Sequence, residues 1–262
     1  MDLRRLLAPH GARRRFTAAA VISAIALGAG AIVAAGHGRA NKRHSPLAGQ
    51  SWSQARRNPL LYVSRKTFAA QMRWLDRHGF RAVTLDQVED AWSGRGLLPR
   101  RPIVVSFDDG YYSQYHTAMP ILRRHHWAGV LSLCLGNMKQ AGGPITAAQV
   151  QRMVNAGWEL ASHTISHRDL RFMKGKRLRH EVRDSRRIIR YVFRVPVHNF
   201  TYPAGLYDEA TIRALKRAGY RGALTVAPGL AGRHHPFELK RIRIIQSMGV
   251  TGFAGELKSL GV

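Results

Sequence analysis

Two adjacent carboxylates, Asp108 and Asp109, stand before Gly110 at the end of the nearly uniform apolar run 102–107. Two imidazoles, His163 and His167, follow a stretch at 158–162 that reads as a strand, and Tyr202-Pro203-Ala204-Gly205 closes another at 198–202. One carboxylate and two imidazoles make a three-ligand site for a divalent metal, with coordination positions left open for water and substrate. Such a metal polarises a carbonyl and lowers the pKa of bound water towards roughly 7. The second carboxylate supplies the general base that hydrolysis needs. Successive side chains alternate along an extended backbone, so the two Asp residues face different ways and can divide the work. Taken singly, a His pair four residues apart fits an exposed surface as well, and Asp and Gly are ordinary turn formers. Their placement at the ends of successive predicted strands is what ties them to one site.

The elements that must bring these residues together alternate along the chain. Phe68, Met72, Leu75 and Trp74 mark one face of a helix that His78-Gly79 ends, and Phe80 to Val83 reads as a short strand. Thr84 is placed to cap a second helix. The run 102–107 reads as a parallel strand covered on both faces. Helices are expected at 119–125, 147–155, about 176–193 and 208–218, and strands at 130–135, 158–162, 198–202, 223–226 and 241–245. This repetition predicts an α/β fold with a parallel sheet, open or closed into a barrel. In parallel barrels the carboxyl ends of the strands converge on one rim, where residues distant in sequence can share a pocket.

The chain carries 42 Lys and Arg against 15 Asp and Glu, a formal charge of +27. Such an excess attracts anionic envelope polymers or an acidic lipid surface. Nucleic acid is disfavoured, because no aromatic-interleaved recognition motif accompanies the charge. Cys134, the single cysteine, excludes a disulfide framework and sits in an apolar run as a buried thiol. Residues 1–36 read as a basic n-region with a signal peptide or membrane anchor after it. Arg4, Arg5, Arg13, Arg14 and Arg15 precede an uncharged stretch, 17–35, of about the length of a bilayer-crossing helix. That order keeps the first residues in the cytoplasm and exports the remainder of the chain, to be secreted or held on the membrane. Val33-Ala34-Ala35 offers a cleavage site. Residues 37–59 read as a basic flexible linker, and 60–262 as the compact domain.

Ser106-Phe107-Asp108-Asp109-Gly110 resembles the TFDDG motif of the NodB-homology polysaccharide deacetylases, carbohydrate esterase family 4. His163-Thr164-Ile165-Ser166-His167 resembles the family's HTxxH motif. Phe200-Thr201-Tyr202-Pro203-Ala204-Gly205 is similar to the FxYPxG form found in its poly-N-acetylglucosamine deacetylase-like branch. The resemblance implies a distorted (β/α) barrel that removes N-acetyl groups from an envelope or extracellular N-acetylglucosamine polysaccharide. It implies Asp108 as catalytic base, with Asp109, His163 and His167 binding a divalent metal (zinc, with cobalt or nickel as alternatives). It further implies the backbone N–H of Ala204 as oxyanion donor, and Tyr202 and Pro203 shaping the floor of the substrate groove. Three departures stand out. Thr201 occupies the place of an Arg that braces the base in many relatives. Leu239-Lys240-Arg241 lacks the His of the family's LxH motif, so the general acid has no assigned residue. No Tyr-His strand precedes Leu60, so the barrel is expected to be incomplete at its N-terminal edge. These departures leave a catalytically impaired metal- and glycan-binding pseudoenzyme as the alternative reading.

Overall fold

The structure is a computed structural model, and it describes residues 18–24, 26–28, 62–139 and 145–262. Two short strands, β1 (Ala18–Ala24) and β2 (Ala26–Gly28), are followed by β3 (Tyr62–Ser64) and helix α1 (Arg65–Arg77). Then come β4 (Arg81–Ala82), α2 (Leu85–Trp92) and β5 (Pro102–Asp108). A π-turn at Gln114–Ala118 leads into α3 (Met119–Arg123), followed by β6 (Val130–Leu133), α4 (Ala147–Asn155) and β7 (Glu159–Ser162). Helices α5 (Gly175–Arg179) and α6 (Ser185–Phe193) are joined through a π-turn at His180–Asp184. The last elements are β8 (Asn199–Thr201), α7 (Glu209–Ala218), β9 (Gly222–Leu224), β10 (Ala231–Gly232), β11 (Ile242–Ile244) and α8 (Val250–Ser259).

The sheet runs β1-β5-β6-β7-β8-β9 with every neighbour parallel. Residues 239–244 draw its two edges together: Leu239 bridges Leu224 of β9, and β11 pairs parallel with β1. The sheet thus curls into a distorted barrel. β5, β6, β7 and β8 are buried along their whole lengths, as strands covered on both faces must be. Helix starts obey local chemistry. Thr84 and Thr146 close reciprocal capping boxes with Gln87 and Gln149, and Asp208 caps α7 through Thr211 N–H.

The N-terminal region differs from the sequence reading. Ala18–Ala24, expected within a signal peptide or membrane anchor, is a strand whose residues 20–23 pair with Ile103–Ser106 of β5. A run of Ala, Val and Ile is as suitable for a doubly covered strand as for an apolar helix, and apolarity alone does not separate them. β1 also occupies the position whose strand was expected to be missing, so the edge beside β5 is filled. No helix among the described residues is long and apolar enough to cross a membrane. The Arg cluster at 4–15, the cleavage site at 33–35 and the linker at 37–59 lie outside the described residues.

A buried acid cluster lies at the amino ends of the strands. Glu159 at the start of β7 accepts the Asp86 backbone N–H at 2.9 Å and the Asn199 amide at 3.0 Å. Beside it, Glu89 of α2 is 8% exposed, and neither of its carboxylate oxygens nor Asn199 Oδ1 meets a donor. Gly222 fits between them: a Cβ there would stand 2.6 Å from Glu89 Oε1 and 2.8 Å from Asn199 Oδ1. Burial first, and the charge of Asp86 next, push Glu89 up to about 8 and raise Glu159 as well. A protonated Glu89 carries the donor that these facing oxygens lack. The native state therefore holds a proton that the unfolded chain releases near pH 4.5. The associated stabilisation is complete below that pH and is lost as pH rises through about 8. Glu89→Gln keeps the shape and brings its own N–H donors. Its melting temperature should exceed wild type at pH 9, by roughly 2–4 °C per kcal/mol recovered, and the gap should close towards pH 5. A gap independent of pH, measured by scanning fluorimetry, would exclude a protonated Glu89.

Candidate active site

The three sequence clusters meet at the carboxyl ends of β5, β7 and β8. Asp109 is the first residue beyond β5 and takes a left-handed conformation, φ 78°. That turn separates its carboxylate from Asp108, the last strand residue. His163 comes directly after β7, and its Nε2 lies 3.5 Å from Asp109 Oδ1; His167 Nε2 lies 3.4 Å from the same oxygen. The imidazoles meet edge to face, 4.7 Å between centroids. All three ligand atoms fall within 4.8 Å of one another, the only such cluster among the described residues.

The surrounding contacts fit a metal. His163 Nδ1–H donates to the carbonyl of Thr201 at 2.8 Å, which fixes the tautomer and leaves the Nε2 lone pair facing Asp109. Burial first, and the neighbouring His167 next, hold His163 below its ordinary pKa, so it is the neutral ligand form. The side chain of His163 is 3% exposed and that of Asp109 13%, while His167 at 25% marks the open side. One carboxylate oxygen and two imidazole nitrogens suit zinc, and they suit cobalt or nickel as well.

Left-handed backbone recurs here at non-glycine residues: Thr164 (φ 69°), His167 (φ 55°) and Ala204 (φ 53°). Such conformations persist where surroundings over-determine them. Buried Glu181 supplies much of that constraint from the helix–helix π-turn. Its Oε2 accepts the N–H groups of Ile165 and Ser166 at 2.8 and 2.9 Å, and its Oε1 accepts Ser166 Oγ. Gly136 N–H holds Ile165 O at 2.6 Å, an approach that a side chain would block. Asn137 donates to the Asp109 carbonyl at 3.0 Å. Cys134 is buried and free beside this loop, its thiol pushed up to about 12 by burial and by the charge of Asp109.

Asp108 has a partner that sequence reasoning missed. Arg241, on the closing segment before β11, forks onto it with Nη1–Oδ1 and Nη2–Oδ2 both at 2.9 Å, and both residues are buried. Arg241 Nε donates to Thr225 O at 2.6 Å, which aims the fork. Burial alone would raise the Asp108 pKa. The Arg241 charge, with the hydrogen bonds of its fork, overcomes it and holds the carboxyl below its ordinary value. The brace lacking at position 201 therefore comes from the segment before β11, and Thr201 instead hydrogen-bonds Ser132 at 2.7 Å. Arg241 is also the residue standing where LxH would place a histidine. His234 and His235 line a separate surface groove with Glu209, Arg213 and Lys216.

One expectation needs correction. Tyr202 and Pro203 are buried rather than presented to a substrate. Tyr202 donates its hydroxyl to Phe237 O at 2.9 Å and stacks on Tyr207 at 4.5 Å, so the pair supports the rim from beneath. An apolar body with its single polar tip satisfied packs as core, and the motif alone did not show which face it would present.

A polysaccharide deacetylase family model matches residues 96–223. The match spans 128 of the chain's 262 residues. The chain is 27% identical over 201 residues to YxkH of Bacillus subtilis, covering 76% of this chain and 72% of that one. It is 24% identical to the poly-beta-1,6-N-acetyl-D-glucosamine N-deacetylase of Escherichia coli K12, across 82% of this chain but only 39% of that protein. Among solved structures, the deacetylase PplD of Streptococcus pyogenes superposes with a TM-score of 0.76 at 20% identity, covering 91% and 97% of the two chains. IcaB of Ammonifex degensii gives 0.69 at 19%, covering 92% and 97%. At these identities the superpositions show a shared fold.

The buried fork predicts a strong stability effect. Arg241→Gln leaves Asp108 as an uncompensated buried charge, and breaking such a pair costs about 3–5 kcal/mol. Urea denaturation at neutral pH should show a loss of that size, shrinking at low pH once Asp108 is protonated. A loss under about 1 kcal/mol would mean that the pair is solvated and weak.

Proposed function

We propose that the protein is a metal-dependent hydrolase that removes N-acetyl groups from an N-acetylglucosamine-containing envelope or extracellular polysaccharide. The observation that carries this reading is the juxtaposition of the Asp109–His163–His167 cluster with an arginine-braced Asp108 at one barrel rim. The poly-N-acetylglucosamine deacetylases among the relatives support the substrate class.

Asp109, His163 and His167 would hold the divalent ion, which supplies Lewis-acid polarisation of the acetamide carbonyl. Asp108 accepts a proton from the attacking water. Arg241 keeps it ionised beforehand, so at neutral pH the base is ready. With Arg241 in place of a late histidine, Asp108 also returns that proton to the nitrogen as the carbon–nitrogen bond breaks, releasing acetate and the sugar amine. The backbone N–H of Ala204, on its left-handed turn beside β8, faces the carbonyl oxygen as negative charge develops there.

Asp108→Asn and Asp109→Asn should therefore fail differently in acetate release from N-acetylglucosamine oligomers. Asp108→Asn should lose about 10²–10⁴-fold in turnover, the contribution of a general base, with metal content near wild type by elemental analysis. Asp109→Asn should lose metal, and excess zinc, cobalt or nickel should restore part of its activity. Equal metal loss in both, or near-full turnover in Asp108→Asn, would overturn the roles. A metal-loaded wild type that releases no acetate would leave the pseudoenzyme reading.

We also propose export, on the strength of the Arg residues that precede the uncharged stretch 17–35. Pairing of Ala18–Ala24 in the sheet and burial of the same residues in a bilayer are mutually exclusive. Protease added to intact spheroplasts should digest the domain. Full protection, with digestion only after lysis, would reject export and favour the paired strand.

A further inference from the structure

We propose that the outward face of α6 docks the barrel on an anionic lipid bilayer, with the catalytic rim turned away from it. The helix has two apolar faces. Ile189 and Phe193, with Val182 from the preceding turn, point into the core. Ile188, Tyr191 and Val192, spaced i, i+3 and i+4, form a second patch that folding does not use, exposed 39%, 71% and 47%. A helix on a globular surface ordinarily shows its solvent a polar face.

Arginines surround that patch. Arg187, Arg190 and Arg194 lie along the same shallow groove as Ile188 and Tyr191, and the Arg194 guanidinium rests 4.8 Å over the Tyr191 ring. The nearby acids do not neutralise it. Asp184 is engaged by His180 and Arg183, and Glu181 is buried against the 165–166 loop. Apolar and aromatic side chains set among arginines match the boundary between acyl chains and anionic headgroups. There the apolar groups leave water while long cationic side chains reach the phosphates. A soluble phosphate polymer would satisfy the arginines and leave the apolar triplet in water, so the bilayer is the better fit.

The topology sets the orientation. α6 runs towards the amino end of β8, whose carboxyl end carries the Thr201 carbonyl that holds His163. The groove at its C-terminal half therefore lies at the opposite end of the sheet from the metal cluster. Leu97, 81% exposed between Arg95 and Arg100, projects from the connection into β5 at that same end.

Val192→Cys in the full chain, labelled with an environment-sensitive dye, tests this directly, because Cys134 is buried and resists labelling. Phosphatidylcholine vesicles containing phosphatidylglycerol should brighten and blue-shift the dye, whereas pure phosphatidylcholine and soluble polyphosphate should not. A dye at Ala148→Cys, exposed on the first turn of α4 at the rim end, should stay silent. Arg187→Gln combined with Arg190→Gln should weaken the response on the order of tenfold, and added salt should weaken it too. Vesicle binding without a shift at Val192 would assign contact to another part of the chain and overturn the proposal. An equal response to polyphosphate would make the face a polyanion site, and absence of vesicle binding would also reject the inference.

Discussion

The site depends on one buried ion pair. Asp108 ends β5, Arg241 lies on the segment that joins β9 to β1, and their fork spans the inside of the curled sheet. Desolvating two charges costs several kcal/mol each, so such a pair survives only with both oxygens and the guanidinium satisfied. Here two parallel N–H···O bonds and the Nε bond to Thr225 O meet that demand. The geometry fixes the closing segment in register with β5. It also commits Asp108 to one orientation and one protonation state, leaving Asp109 alone to turn towards the histidines. A bidentate arginine does this better than a lysine, whose point charge would leave the carboxylate free to rotate.

Around that pair the structure tolerates backbone strain that elsewhere would relax. Four left-handed non-glycine residues lie in the turns after β5, β7 and β8. Groups from other elements anchor two of these turns, Asn137 at Asp109 and Glu181 between Thr164 and His167, while Tyr202, in the same turn as Ala204, is tied to Phe237 O. Gly205, at φ 71°, permits the approach of Val226, whose Cγ2 would clash with any added Cβ. The ligand nitrogens are thus placed by a shell reaching from the α5–α6 connection to the β6 loop, and strain at the rim is balanced by packing below it.

Much of this was legible in the residue pattern, for reasons that also explain the gaps. Helix α4 lies at 147–155 as its periodicity predicts, and Thr84 caps α2, because amphipathic spacing and capping are local signals. Asp109 and His163 were traceable because each directly follows a stretch that reads as a strand, and His167 because it stands four residues after His163. Arg241 was not, because its partner lies 133 residues away and an arginine in so basic a chain carries no individual signal. Nor was the burial of Tyr202 legible, since an aromatic in a functional motif can serve as wall or as foundation. β1 escaped notice because a short run of small apolar residues fits an exported segment and an interior strand alike. Helix α8, Val250–Ser259, is Gly-containing and weakly patterned, and it too was invisible.

The charge imbalance takes on a structural meaning once the acids are located. Of only fifteen, Asp108, Asp109, Glu181, Glu89 and Glu159 are buried or nearly so, and Asp86 is engaged by His198 and Asn199 at the opposite end. Asp208 caps a helix, and Asp76 and Asp90 sit in exposed pairs with arginine. Acids are thus concentrated where the fold or the site requires a carboxylate, and few remain to offset the surface arginines. A cation-rich surface around an acid-containing interior results from that allocation. It extends an attractive field towards polyanions over about a Debye length, while low dielectric inside the barrel keeps the few carboxylates strongly coupled to their partners. The same scarcity leaves Asp184, itself engaged by His180 and Arg183, as the acid that lines the groove of the α6 arginines. Their charge is a consequence of where the acids are needed, and the apolar triplet among them is the feature that this allocation leaves unexplained.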